Sequence, residues 1–213
     1  TVVGTPNFFT ATHAIGANGG GGRTNQYTLV YDVKKPTATL WRSFYQTDLA
    51  NTTDAEYFVR GAGAGVTLNT LGRDDIGYST GFLSPNTWYR VVVSVDLGNS
   101  FEAYRNGDPF ASYMVPGVDN PDYSLDPSQV LLFADNSPDG NQQLSIGSVA
   151  IYDGALTASQ AALLGGPGST YVMRPLTWAG SAGNSSWDTF STNWLEGSVP
   201  LAFVDGDNAS FTD

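Results

Sequence analysis

The sequence predicts an all-β chain folded as an antiparallel β-sandwich with one short C-terminal helix. Three observations carry that expectation. Short runs of alternating apolar and polar residues recur along the chain, and Gly-, Pro- and Asn-rich turn signals separate them. Among 20 acidic residues only three are Glu, at 56, 102 and 196, which leaves seventeen Asp. Alternation puts every second side chain on one face of a strand. Asp serves turns and oxygen-rich loops, whereas Glu favours helix. With 41% hydrophobic and 13% aromatic residues in 213, the chain supplies a full core for one β-rich domain, alone or with an appendage.

The elements follow in order. The run QYTLVYDV at 26–33 sets Tyr27, Leu29, Tyr31 and Val33 on one face. The run WYRVVVSVD at 88–96 turns Tyr89, Val91, Val93 and Val95 inward and leaves Trp88, Arg90, Val92, Ser94 and Asp96 on an amphipathic back. LGNS then leads into FEAYR at 101–105, and Asn106-Gly107 reads as a two-residue hairpin turn, because both positions tolerate positive φ. Further strands are expected at about 109–115, interrupted by Pro109, at 129–134 (QVLLFA) and at 144–153 (LSIGSVAIYD). One helix is convincing: in TASQAALLG, Thr157 caps it, Gln160 completes a T-x-x-Q capping box, and Gly165 ends it. NGGGGR at 18–23 reads as a flexible loop. Composition breaks at GGPGS (165–169), dividing residues 1–166 from a Trp-rich β tail, 167–213, too short to bury a sizeable core alone.

The charge balance narrows the partners. Nine basic residues against 20 acidic ones give a net charge of −11, which argues against nucleic acid, since phosphate binding needs basic patches. Without Cys there are no disulfides and no thiolate chemistry. No apolar run is long enough to cross a bilayer. The chain starts at Thr1 with no signal-peptide pattern behind it, so it is expected to be part of a longer precursor, and its acidic, cysteine-free composition suits a bacterial protein that is secreted or held at the cell surface.

Two loops carry candidate metal ligands. In LLFADNSPDGNQQL, Asp135, Ser137, Asp139 and Gly140 match positions one, three, five and six of a calcium loop, and Asn141 follows. The bidentate Glu of that template would fall on Ile146 and is missing, while SPDG is also an ordinary β-turn, so both readings stay open. A second acidic loop holds Asp48, Asn51, Asp54 and Glu56, and could complete a joint site with the first, because calcium takes six to eight oxygens. For sugar, the candidate stacking rings are Trp41, Tyr45 and Trp88, with Arg42 and Arg90 beside them; the alternative for each ring is the core. The polar and aromatic loop 118–127 is a further candidate rim. His13, the single histidine, reads as structural rather than as a general base.

The hairpin WYRVVVSVDLGNSFEAYRNG resembles the laminin G-like, pentraxin-type branch of the concanavalin A-like jelly rolls. In that branch a Trp opens a strand that ends in Asp, here Trp88 and Asp96, and the return strand closes on Tyr-x-Asn-Gly, here Tyr104, Asn106 and Gly107. LSIGSVAIYDGALTASQAALL is similar to the family's closing strand and final helical turn, so the resemblance runs from about residue 5 to 165. It implies a jelly roll, a fold that hosts lectins, adhesins, hydrolases and lyases. It also implies calcium between loops at the sandwich rim. The glucanase relatives use two Glu on one strand, and no two Glu of this chain lie within forty residues of each other. The tail, from TWAG to SFTD, resembles the start of a Trp-containing repeat in autotransporter-type β-solenoid passenger proteins, which implies the first rung of a truncated array.

The expectation is therefore a non-catalytic carbohydrate-binding or adhesive module of an exported multidomain protein. Its partner is a polysaccharide or cell-surface glycan, and structural Ca2+ accompanies it. One alternative is a structural domain that docks to a neighbouring domain or chain through the tail. The other is a polysaccharide lyase or hydrolase of the same fold that uses His13 or a cleft Tyr.

Overall fold

A computed structural model describes residues 2–3, 8–36, 41–62, 67–137, 140, 143–169, 175–179, 193–196, 198–201 and 208–210. The strands in chain order begin with β1 (Val2–Val3), β2 (Phe9–Thr12), β3 (Gln26–Lys34), β4 (Arg42–Gln46), β5 (Tyr57–Val59), β6 (Leu71–Arg73) and β7 (Gly77–Tyr78). They continue with β8 (Trp88–Asp96), β9 (Ser100–Arg105), β10 (Asp108–Ser112), β11 (Gln129–Leu132) and β12 (Leu144–Asp153). Helix α1 (Ala158–Leu164) follows, and the tail adds β13 (Pro175–Trp178), β14 (Trp194–Glu196), β15 (Val199–Leu201) and β16 (Asn208–Ser210). The first sheet has the order β1-β12-β3-β8-β9-β10 and the second β2-β11-β4-β5-β6-β7. Both are antiparallel throughout. Stacked on each other they form the expected sandwich.

The alternation read from the sequence supplies the core. Tyr27, Leu29, Tyr31 and Val33 of β3 and Val91, Val93 and Val95 of β8 pack against Phe44, Tyr57, Val59, Leu71 and Leu132 of the second sheet. Burying each such side chain contributes about 1.5–3 kcal/mol. Edge-on aromatic contacts run through this layer, with Phe44 at 5.0 Å from Tyr31 and 5.7 Å from Tyr57. The buried phenols are partnered: the Tyr57 and Tyr113 hydroxyls lie 2.6 Å apart, and Tyr27 donates to the Tyr123 carbonyl at 2.6 Å. A buried hydroxyl left unpaired would cost about 1–3 kcal/mol.

The back of β8 departs from expectation. It is not an open amphipathic face, because α1 lies over it. Val30, Val92 and Tyr104 form a small second core with Ala161 and Leu164 of the helix. The capping box is present, with the Thr157 side chain accepting from the Gln160 amide. Arg90 sits under this cover, 1% exposed, as the cross-strand partner of Asp32. Its Nε reaches Asp32 Oδ1 at 2.7 Å, its Nη2 reaches Oδ2 at 2.8 Å, and its Nη1 donates to the Leu164 carbonyl at the helix end. Such a forked pair satisfies both charges inside the protein.

The hairpin turn at Asn106 and Gly107 takes φ of 55° and 90°, as its sequence demands. The strand expected at about 109–115 ends at Ser112 after a register shift between Pro109 and Ala111. Strand β11 stops at Leu132, where Phe133 turns to φ 61°. The glycine loop at 18–23 is anchored rather than flexible. The Asp119 carboxylate accepts from the amides of Gly22 (2.8 Å) and Arg23 (3.0 Å), and Asn18 Oδ1 accepts from those of Asn25 and Gln26, both at 2.7 Å. In the tail, β15-β14-β13-β16 make a four-stranded sheet in which β13 and β16 run parallel.

Candidate functional site

The outer face of the second sheet carries a cleft of about 480 Å³. Its floor follows from register: Ser43 pairs with Phe58, Phe58 with Gly72, and Gly72 with Tyr78, so these positions form one row across β4 to β7. Gly72 adds no side chain between the two rings. It also takes φ 138°, and a Cβ there would lie 2.1 Å from the Gly77 carbonyl oxygen, so the β6–β7 hairpin requires glycine. Trp41, just ahead of β4, completes an aromatic wall with Phe58 and Tyr78. Its ring meets Phe58 edge-on at 5.9 Å, and its Nε1 donates to the Ala62 carbonyl at 3.3 Å.

Four carboxylates, Asp54, Asp74, Asp75 and Asp135, line the same cleft with Arg73. Asp74 holds Arg60 at 3.2 Å, and that guanidinium lies 3.4 Å from the centre of the Tyr78 ring. Arg73 is shared between Asp75 at 3.5 Å and Asp122 at 3.1 Å, and Asp75 also accepts from the Tyr123 hydroxyl at 2.7 Å. The 118–127 loop thus acts on the cleft from behind, by fixing Arg73.

Asp135 is 4% exposed and accepts from the Ala55 amide at 3.1 Å. Burial raises its carboxyl above the usual carboxylate range; the Ala55 amide opposes that rise and the charge of Asp54 adds to it. Gly140 closes over it, since a Cβ at that position would fall 2.0 Å from Asp135 Oδ2. The two acidic loops are stitched together: Asn51 donates to the Asp135 carbonyl at 3.3 Å, and Asn136 to the Thr52 carbonyl at 3.0 Å.

Of the eight candidate calcium ligands, six lie among the described residues, and those six do not all share one site. Asp54, Asp135 and Ser137 share the cleft. Asp48 instead caps its own loop, accepting from the amides of Ala50 (3.0 Å) and Thr52 (2.7 Å) and from the Thr52 hydroxyl at 2.6 Å. Those bonds hold its carboxyl below the ordinary value. Asn51 Oδ1 accepts from Gln46 at 2.8 Å. Glu56 is buried, accepts from the Thr47 amide at 2.9 Å and hydroxyl at 3.0 Å, and is pushed up to about 8 by burial. Asp139 and Asn141 lie outside the described residues. Among the described residues no group of three or more His, Cys, Asp or Glu is arranged to hold a metal.

The five candidate sugar contacts also separate. Trp41 stands in the cleft. Tyr45 is wholly buried in the core, 6.3 Å from Tyr27, and offers no face to a ligand. Arg42 is 1% exposed, donates to the Gln143 and Trp41 carbonyls, and is lowered to about 10 by burial. Arg90 is held by Asp32 beneath the helix. Trp88, 40% exposed, lies on the other sheet beside Gly147, with Lys34 Nζ 5.4 Å above its ring. His13 is half-buried at the end of β2 beside Ala11, Ile15, Leu132 and Ile151, and burial lowers its pKa.

Sequence reasoning passed over Phe58, Tyr78, Arg73, Asp74 and Asp75. Strands of two and three residues offer too few positions for alternation to show. The stretch GRDDIGYS, an acidic pair between two glycines ahead of a Tyr, was the available signal.

A family model described as the concanavalin A-like lectin/glucanases superfamily matches residues 10–162. Among solved structures, a Bacteroides ovatus protein described as carbohydrate-binding aligns with a TM-score of 0.52 at 16% identity, over 76% of this chain and 46% of its own. The heptameric SAP-like pentraxin of Limulus polyphemus aligns at 0.51 and 15% identity, over 76% of this chain and 80% of its own. A search of curated proteins found no match. The matched span holds both sheets apart from β1 and the start of β2, together with the start of the capped helix, and on that match the chain belongs to the concanavalin A-like lectin/glucanases superfamily.

Proposed function

We propose that this domain is a non-catalytic module that holds a polysaccharide or cell-surface glycan in the Trp41–Phe58–Tyr78 cleft. The observation that carries the reading is the coexistence of three aromatic rings and four carboxylates in one hollow of about 480 Å³. Sugar C–H faces stack on aromatic rings, and carboxylates accept hydrogen bonds from sugar hydroxyls. The volume lies within the range of small-ligand clefts. Asp74 and Asp75 are committed to arginines, which suits positioning rather than acid–base chemistry. The B. ovatus relative, carbohydrate-binding by its description, has the same fold. The module belongs to an exported multidomain protein, secreted or at the cell surface; no described helix is long and apolar enough to cross a membrane.

A glycan array followed by calorimetry tests this. Micromolar-to-millimolar binding that Trp41→Ala abolishes is expected, and a blank array for the native chain defeats the reading. A structural calcium ion bound through the acidic rim loops belongs to the same proposal. Millimolar CaCl2 then raises the melting temperature and EDTA lowers it; a flat response removes the ion.

One observation favours an additional role for the tail. Parallel pairing of β13 with β16, Pro175 opposite Asn208, is the pairing by which successive coils of a β-solenoid stack. A tail that starts such an array would dock onto further coils. Concentration-dependent self-association of the chain together with blank glycan arrays would move the assignment from sugar binding to assembly.

A further inference from the structure

The class of sugar follows from the charges around the cleft, on the premise that the cleft is a glycan site. Its four carboxylates face one cation, Arg73, among the described lining residues, and Arg73 is already shared between Asp75 and Asp122. Arg60, behind Tyr78, is likewise engaged by Asp74. A uronate, sialate or sulfate group would therefore enter against negative charge with its natural partners occupied. Asp54 stands exposed at the mouth and forms no ion pair among the described residues. The net charge of −11 adds a long-range field of the same sign, repelling polyanions and drawing in polycations. Trp41 and Tyr78 suit an ammonium group as well as they suit a sugar face, because a cation is attracted to an aromatic ring.

We infer that the cleft selects glycans of amino sugars with free ammonium groups over N-acetylated or neutral ones, and most sharply over uronate- or sulfate-bearing ones. The ammonium group lies towards Asp54 and Asp135 while the ring stacks on the aromatic wall.

Calorimetry on the intact chain in EDTA, at mildly acidic pH where amines are charged, tests the inference with three probes: a glucosamine tetramer, its N-acetylated counterpart and a galacturonate tetramer. The glucosamine tetramer is expected to bind about tenfold tighter than the N-acetylated one in dilute salt, with the gap closing as NaCl rises to about 0.3 M. Asp54→Asn should erase the preference while keeping the weaker N-acetylated binding, and Trp41→Ala should abolish both. Equal or tighter binding of the N-acetylated or galacturonate tetramer, still dependent on Trp41, overturns the charge selection and leaves the glycan site standing. Glucosamine binding that survives Trp41→Ala is diffuse polyion attraction and also overturns the inference. Failure of all three tetramers on the native chain, together with a blank glycan array, overturns the site itself.

Discussion

The outer faces of the two sheets carry similar residues under different cover. On the first sheet, helix α1 lies over Val30 and Val92, and the Arg90–Asp32 pair is closed beneath it. On the second, no described helix covers the row from Phe58 to Tyr78, and the cleft remains open above it. The difference extends to buried charge. Asp32 is gripped through both carboxylate oxygens by an arginine, whereas the buried Glu56 accepts from the amide and hydroxyl of Thr47 and forms no ion pair among the described residues. One face is closed for cohesion, and the other leaves a cleft open beside its buried polar groups. The comparison teaches that a Trp and an Arg on a strand back acquire a role only from what packs over them.

The largest effect belongs to the covered face. Asp32→Ala strands a buried guanidinium, so chemical denaturation should show a loss of about 3–5 kcal/mol, while joint replacement of Asp32 and Arg90 by apolar residues of similar size should recover most of it. If the single variant loses less than about 1 kcal/mol, the pair does not lock the covered face.

The next effect is a pH dependence beside the open face. Glu56 holds its proton more tightly folded than unfolded, with its pKa raised from 4.5 to about 8 by burial. Over that window the native state binds more protons, so this group makes stability fall as pH rises. Arg73 and Asp122 act on it in opposite directions. Lys35, lowered to about 7, works against the trend from there up to 10.5, so pH 5 to 7 is the window to measure. Glu56→Gln should flatten the slope and gain on the order of 3 kcal/mol at the top of the range. An unchanged profile in that variant would contradict the assignment.

The smaller effects divide the two faces by function. Trp41→Ala should weaken glycan binding at least about tenfold, equivalent to about 1.4 kcal/mol. Trp88→Ala on the other sheet should leave it within about twofold, because that ring lies outside the cleft. Equal losses in both variants would mean that the first sheet also binds sugar. Arg42→Met should move stability by no more than about 1 kcal/mol in either direction, since two carbonyl bonds are exchanged for apolar packing. A loss several times larger would show that Arg42 matters to its sheet as Arg90 does to the other.

The first sheet was largely legible. Its strands are long, up to ten residues in β12, so alternation declares itself, and Asn106-Gly107 and the Thr157–Gln160 box mark their own boundaries. The second sheet was legible only in part. β5, β6 and β7 have three, three and two residues, too few for alternation to show, and β4 takes its other neighbour, β11, from a distant chain segment. Tyr45 and Arg42 illustrate the limit: in WRSFYQ every second position is ambiguous, because the register shift between Ser43 and Tyr45 breaks the alternation.

By itself the sequence determined the class of fold, the long hairpin, the capped helix and the acidic character, all of which rest on neighbours a few residues apart. Only the tertiary structure decided which Trp stands in a cleft, which Arg is locked, and that Asp54 and Asp135 line one cleft with Tyr78. Those outcomes depend on strand register and on the placement of α1. Both are settled by burying one continuous core, a property of the whole chain rather than of any short stretch.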